Sequence, residues 1–216
     1  MNSQNLSKTF LFLVIFILCG FITVVVTSKA GEESKEKREL VNQKASEHDH
    51  DAMMEKWKEF STPNENHKVL DALVGDWDYT IKWWMSPDAK PEESKGTSEV
   101  EWIMGGRFIE HSVEGTAMGQ PFEGMGITGY DNQKKQYQSV WMDNMGTGIM
   151  TGSGNYDPNT KTLTDQGTFS CPAEGQKSYR GVTKIKNKDN FTYEWYMTDP
   201  EGKEFRAMEI VYTRKK

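Results

Sequence analysis

The chain has 216 residues, with 26 Lys plus Arg against 32 Asp plus Glu and a formal net charge of −6, which fits one ordinary domain. The acidic balance excludes a nucleic-acid binder, whose footprint is a basic patch or stripe, and an aromatic content of 12% excludes wholesale disorder. Two cysteines exclude a disulfide scaffold and a four-cysteine zinc site.

Residues Phe10 to Val26 form a run of 17 without charge, FLFLVIFILCGFITVVV, between Lys8 and Lys29. The run is longer than a usual signal-peptide core and shorter than a comfortable transmembrane helix. Ser28-Lys29-Ala30 before Gly31 supplies small residues at both cleavage-critical positions. Two fates are open for residues 1–30: a signal peptide that is removed, or an N-terminal membrane anchor whose membrane contact is residues 10–26. Leu18 before Cys19 is not the small residue that lipid attachment wants, which sets that route aside. Either fate exports the folded part, to the periplasm or outside the cell if cleaved. Cleavage would remove Lys8 and Lys29, taking the charge from −6 to −8, and would leave Cys171 without an intrachain partner.

Residues 31–52 are dense in charge and poor in apolar side chains, the composition of a flexible linker. Glu47-His48-Asp49-His50-Asp51 within it are all metal-ligand types, but nothing fixes their geometry, so a solvated linker is the preferred reading. From residue 53 to 216 the sequence predicts one β-barrel domain. Met53, Met54, Trp57 and Phe60 recur at helical spacing until Pro63, and a second short helix carries His67, Leu70, Leu73 and Val74 on its buried side. These two pieces are expected to form a lid or plug.

From Asp76 the pattern changes to alternation. Strands are predicted over Trp77–Met85, Thr97–Met104, Arg107–Thr116, Pro121–Tyr130, Gln136–Asp143, Gly148–Tyr156, Thr162–Ser170, Lys177–Lys186, Phe191–Thr198 and Glu204–Arg214. Turn residues separate them, among them Gly105-Gly106, Asp157-Pro158-Asn159 and Pro200-Glu201-Gly202. About ten strands joined by short hairpins make an antiparallel meander, and exposed edges favour its closure into an all-β, up-and-down barrel. Trp77, Tyr79, Ile81 and Trp83 share one face, as do Phe191, Tyr193, Trp195 and Met197, and Met208, Ile210 and Tyr212. Alternation is compatible with an open lumen and with one filled by its own side chains.

Gly124-Met125-Gly126-Ile127-Thr128-Gly129 matches the dinucleotide fingerprint letter for letter, but it is followed by a turn and a strand rather than a helix, so it reads as a glycine-rich strand. His111 shares a face with Ile109 and Val113, where it is either a satisfied core histidine or a base or haem ligand. Met118, Met125, Met142, Met145, Met150, Met197 and Met208 fall in or beside strands and suit a pliable apolar lining better than a Cu(I) site. Tyr137, Ser139, Trp141 and Asp143 alternate onto one face, setting a polar anchor beside an aromatic wall. Arg107 is a candidate counter-charge for a ligand carboxylate, or else an ion-pair partner of Asp143 at the rim. No nucleophile stands out: Cys171 precedes Pro172, and there is no G-x-S-x-G elbow.

Gly75-Asp76-Trp77 is the G-x-W pattern of lipocalin-like barrels. More extensively, the chain resembles the bacterial family described as domain of unknown function 1579, a calycin-like group. The matching residues run in order from Pro63–His67 and Val74–Trp77 through Met104–Phe108, Gly126–Asp131, Trp141–Asp143 and Gly148–Met150 to Glu209–Arg214. The resemblance implies a lipocalin-like barrel in which the Trp closes one end under a late Arg, here Arg214 or Arg206. It implies no agreed activity. Related ten-stranded barrels of the nitrobindin type hold haem through a late histidine, whereas no histidine follows His111 here. No cofactor is therefore expected, with haem kept open only through His111, His67, or a Met or Tyr. The expected function is binding of a small apolar or amphipathic molecule by Arg107, His111, Tyr137, Trp141, Asp143 and Trp195. A haem-dependent or other enzyme in the same barrel, and a structural envelope protein with a filled barrel, are the alternatives.

Overall fold

The computed structural model describes residues 29–172 and 174–216, with side chains for all of these except 29–33 and 42–48. The apolar run Phe10–Val26, and with it the choice between signal and anchor, lies outside the described residues, as do the side chains of Glu47 and His48. No helix among the described residues is long and apolar enough to cross a membrane. The chain divides between Ala52 and Met53 into two compact units.

Helix α1 spans Lys29–Ser61 and so runs through residues 31–52, the stretch expected as a flexible linker. The high charge that argues for disorder is carried by Glu, Lys and Arg, which are strong helix formers, and no Gly or Pro interrupts residues 32–62. Within the second unit, the last turns of this helix leave Met53, Met54, Trp57 and Phe60 exposed. These residues therefore do not act as a lid, contrary to expectation. Plugging falls to the next piece alone: α2 (Glu65–Lys68) and the 3-10 turn Val69–Ala72. Asn64 caps α2 reciprocally with His67, its side chain accepting from the Asn66 N–H at 2.9 Å while its own N–H donates to His67 Nδ1 at 3.0 Å. Leu70, on the turn, is fully buried.

Ten strands follow: β1 (Gly75–Trp83), β2 (Glu92–Ile103), β3 (Phe108–Ala117), β4 (Gln120–Asp131), β5 (Gln136–Asp143), β6 (Met150–Asp157), β7 (Thr162–Cys171), β8 (Gly175–Asn187), β9 (Asn190–Thr198) and β10 (Glu204–Arg214). Each overlaps the strand expected from alternation, and β5 and β10 have the expected bounds. Sequential neighbours pair antiparallel, and β1 pairs with β10 from Trp77↔Arg214 to Trp83↔Met208, closing the barrel. Closure pairs both edges that an open sheet of this length would expose. The dinucleotide-like glycines Gly124, Gly126 and Gly129 lie inside β4, a plain strand.

One end of the barrel is sealed. Trp77 is fully buried, its Nε1 donates to the Leu73 carbonyl at 2.8 Å, and the Arg214 guanidinium lies 4.1 Å from its ring centre. Arg214, not Arg206, is thus the residue over the tryptophan; Arg206 lies over Trp84 instead. Gly75 takes φ +130°, and a Cβ there would overlap Arg214 Nη1, so the glycine of the G-x-W pattern makes room for the guanidinium. Phe191, Tyr212, Val100, Ile109, Tyr137 and Leu163 pack with Leu70 and Trp77 into the core at this end.

Candidate functional site

Which side chains enter the lumen follows from the register. One row of partners runs Gly154↔Asp165↔Gly181↔Trp195↔Met208↔Trp83 across β6 to β10 and β1. A second runs Ile109↔Thr128↔Ser139↔Gly152↔Gly167↔Tyr179, and a third Val100↔His111↔Gly126↔Trp141↔Met150. Facing partners share a side of the sheet. Since Trp195, Tyr179, Ile109 and Val100 are buried, all three rows point inward.

The burial is asymmetric along the axis. Inward residues near the plug are buried, whereas Trp83, Met150, Phe169, Met197, Phe205 and Met208, towards the other end, are only partly covered. That end is the mouth. Its loops carry exposed Met85, Met118, Met145 and Ile149. Of the methionines expected as lining, Met150, Met197 and Met208 face inward, Met118 and Met145 sit on mouth loops, and Met125 and Met142 pair with each other on the outer face.

Between plug and mouth lies a ring of polar groups. A Cβ built on Gly152 would meet Tyr179 Oη at 2.5 Å, Asp165 Oδ2 at 3.0 Å and Ser139 Oγ at 3.0 Å, so three polar atoms converge over that bare backbone. On the far side, a Cβ on Gly181 would overlap Asp165 Oδ1 and lie 2.7 Å from Tyr193 Oη. Tyr179 hydrogen-bonds to Asp165, and burial nevertheless holds the Asp165 carboxyl above the ordinary carboxylate range. Burial, with the nearby Asp165 charge, raises the Tyr179 and Tyr193 phenols well above their usual values. His111 Nε2 lies 2.7 Å from Ser98 Oγ, and burial lowers the imidazole to about 4, so the ring is neutral at pH 7.

Trp195 stands at the centre of an aromatic box. Its ring is 4.9 Å from Phe169, 5.6 Å from Trp83 and 5.8 Å from Tyr179. It is 6% exposed, and its Nε1–H is buried without an acceptor. A buried N–H left unpaired is rare, because it forfeits its bond to water and gains nothing in return.

A profile of the family described as protein of unknown function DUF1579 matches residues 62–214. The chain belongs to this family. Among solved structures, Rv2717c from M. tuberculosis is similar to the DUF1579 barrel at a TM-score of 0.52 and 15% identity, over 72% of this chain and 100% of the other. The S-type phycobiliprotein lyase CPES from Guillardia theta is similar at a TM-score of 0.51 and 10% identity, over 73% and 96%. These likenesses are of fold, a closed β-barrel. No curated protein matches the chain.

The DUF1579 barrel distributes the sequence-predicted residues along its length. Trp141 and Asp143 reach the mouth, where Trp141 Nε1 donates to Asp143 Oδ2 at 2.9 Å. Tyr137 belongs to the plugged end: its hydroxyl donates to the Asn66 carbonyl at 2.7 Å, tying α2 to β5. Arg107 is exposed on the β2–β3 hairpin, donating to the Met104 carbonyl at 3.1 Å. Phe108, next to it, faces Gly129, whereas Asp143 faces Gly124. Five residues of β4 separate those positions, roughly 17 Å at strand rise, so of the two roles open to Arg107 the ion pair with Asp143 does not form. His111 lies mid-barrel between the edges of Trp141 and Tyr212, each with centroids 5.9 Å away. With Nε2 bonded to Ser98 and aromatic rings packed against it, His111 does not offer a planar macrocycle an approach, and haem ligation through His111 does not fit this arrangement.

Sequence reasoning singled out Trp195 but missed Asp165, Tyr179 and Tyr193 as a group. A signal for Asp165 was present: it is the lone acid in the period-two stripe Leu163, Asp165, Gly167, Phe169. Tyr179 and Tyr193 come together with it only through the pairing of β7, β8 and β9.

Proposed function

We propose that the barrel binds a small apolar or amphipathic molecule, which enters at the mouth and seats against Trp195. The observation that carries this reading is the unpartnered Trp195 Nε1–H, buried inside an aromatic box. A ligand oxygen would supply the missing acceptor while its apolar body covers Trp83, Phe169 and Met208. Such a site, mostly apolar with a few orienting polar groups, is what small-molecule pockets share. The partly covered aromatic lining at the mouth supports entry from that end, since the other is sealed by Leu70 and Trp77. On sequence grounds we also place the binder outside the cytoplasm, exported by the apolar run Phe10–Val26.

The test is a calorimetric titration of the full chain with 1-naphthalenemethanol, a neutral aromatic alcohol whose oxygen can accept from Trp195. Saturable binding is expected, weakened roughly three- to tenfold in Trp195→Phe, the worth of one neutral hydrogen bond. Affinity unchanged in Trp195→Phe would overturn the seat against Trp195, and absence of saturable binding by this alcohol and by its amine and carboxylate counterparts would overturn the reading and favour a barrel filled by its own side chains.

A further inference from the structure

The lumen holds an acid with no cation. Asp165 sits on β7 between two glycine neighbours, Gly154 on β6 and Gly181 on β8, so no side chain flanks its carboxylate along that row. Its polar contacts are hydroxyls: Tyr179 and Ser139 converge with Oδ2 over Gly152, and Tyr193 lies beside Oδ1 over Gly181. Among the described residues no Lys, Arg or His forms an ion pair with it, whereas Glu194 and Glu204 on the outer wall are met by Lys184 and Arg180. Asp165 is half-buried; a carboxylate withdrawn from water without a countercharge is costly, and proteins resolve it with a proton or with a bound cation.

The surroundings select between these. Across bare Gly181, in the same row, stands Trp195 with its buried and unpartnered N–H. Around it, Phe169, Trp83 and Tyr179 present ring surface within 4.9–5.8 Å of the indole. Aromatic walls with one carboxylate at the base are the chemistry that recognises an organic ammonium, through ring quadrupoles on its apolar shell and a charge-assisted hydrogen bond to its N–H. An inorganic cation fits less well, because the remaining groups are phenols and rings rather than further carboxylates or carbonyls.

We infer that the lumenal ligand is an organic amine, its ammonium seated on Asp165 and an oxygen of the same molecule accepting from Trp195. This deepens the small-molecule reading above and rests on it. The glycines at 152 and 181 then have a role beyond bending the strands: the room a Cβ would take is what lets the Asp165 carboxylate and the Tyr179 and Tyr193 hydroxyls lie against the wall there.

Three probes with one ring system test it by titration calorimetry at pH 7.5: 1-naphthylmethylamine, 1-naphthalenemethanol and 1-naphthoate. The amine is expected to bind about tenfold or more tighter than the alcohol, with the naphthoate weakest. Asp165→Asn, nearly isosteric, should bring the amine down to the affinity of the alcohol. Near-UV circular dichroism checks that the variant keeps its aromatic packing, and Glu204→Gln on the outer wall should change nothing. If folding fails in Asp165→Asn, Asp165→Ser read the same way replaces it. Equal binding of amine and alcohol, or an amine preference that survives loss of the carboxylate, would overturn the ammonium assignment while leaving the small-molecule reading intact. Binding by none of the three would overturn both.

Discussion

His111 is held neutral by its position: inward on β3, bonded to Ser98, and wedged between Trp141 and Tyr212. Its folded value of about 4 lies below the ordinary 6.5. Between those two values the unfolded chain takes up a proton that the barrel refuses. His111 therefore leaves stability untouched above about pH 6.5 and lowers it as pH falls from there towards 4, by up to about 3 kcal/mol. His67, lowered by its burial and by Arg107, acts in the same direction, while Asp165, raised by burial, acts in the opposite one. Both are common to the wild type and to His111→Gln, so the difference between the two isolates His111. Urea unfolding at pH 7 and pH 4.5 is expected to show a markedly flatter pH dependence in the variant; identical slopes would mean that the histidine titrates freely.

At the scale of the element, the plug depends on one asparagine. Asn132, in the turn after β4, donates from Nδ2 to the carbonyls of Glu59, Phe60 and Thr62 at 3.2, 2.9 and 2.9 Å, and accepts from Asn64 Nδ2 at 2.6 Å. It thus satisfies the orphan carbonyls at the end of α1 and the start of the plug together. Tyr137 adds the second tie, through Asn66. Burial, with Tyr130 and Tyr156 close by, pushes its phenol up to about 12, so the donor stays protonated throughout the working range. Asn132→Ala should destabilise the domain by about 2 kcal/mol, the penalty for stranding several buried partners of one amide. Limited proteolysis should then cut first between residues 59 and 64, and protection equal to the wild type would show that packing around Leu70 holds the plug without this residue.

For the whole molecule, closure is the decisive event. β1 and β10 are 121 residues apart at their nearest ends (83 to 204), yet their pairing removes the last free edges and brings Arg214 over Trp77. A chain stopped at Lys203 keeps nine strands but exposes the edges of β1 and β9, together with the aromatic faces of Trp83 and Trp195. It is expected to aggregate on expression, since unpaired apolar edges template association. A soluble monomer with native near-UV circular dichroism would show that the sheet tolerates being open.

The strand pattern was legible in the sequence because a barrel wall imposes a strict period of two. The stripes Trp77–Trp83 and Phe191–Met197 register it directly, and hairpin turns of short-range chemistry mark where each strand ends. The packing of a late arginine over Trp77 was implied by the lipocalin-like resemblance that the G-x-W pattern carries, with Arg214 and Arg206 both open. The helix over residues 31–52 follows from the helix propensity of Glu, Lys and Arg, which a count of charge does not weigh, and exposed Trp57 and Phe60 were read as a lid because periodicity alone does not say what a face meets. The Arg107–Asp143 pair fails for another reason: in an antiparallel meander the hairpin before β3 and the one after β5 fall at opposite ends of the barrel, which nearness to a strand end does not register. Asp165, Tyr179, Tyr193 and Trp195 lie on three different strands, and of the ring contacts to Trp195, Phe169 shares β7 with Asp165 while Trp83 comes from a fourth strand, β1. By itself, then, the sequence determined the strands, their order and the inward alternation, because those follow from local periodicity and turn chemistry. The tertiary structure alone decided which end is sealed and which polar atoms converge beneath the mouth, because register and closure set distances between residues that no local pattern connects.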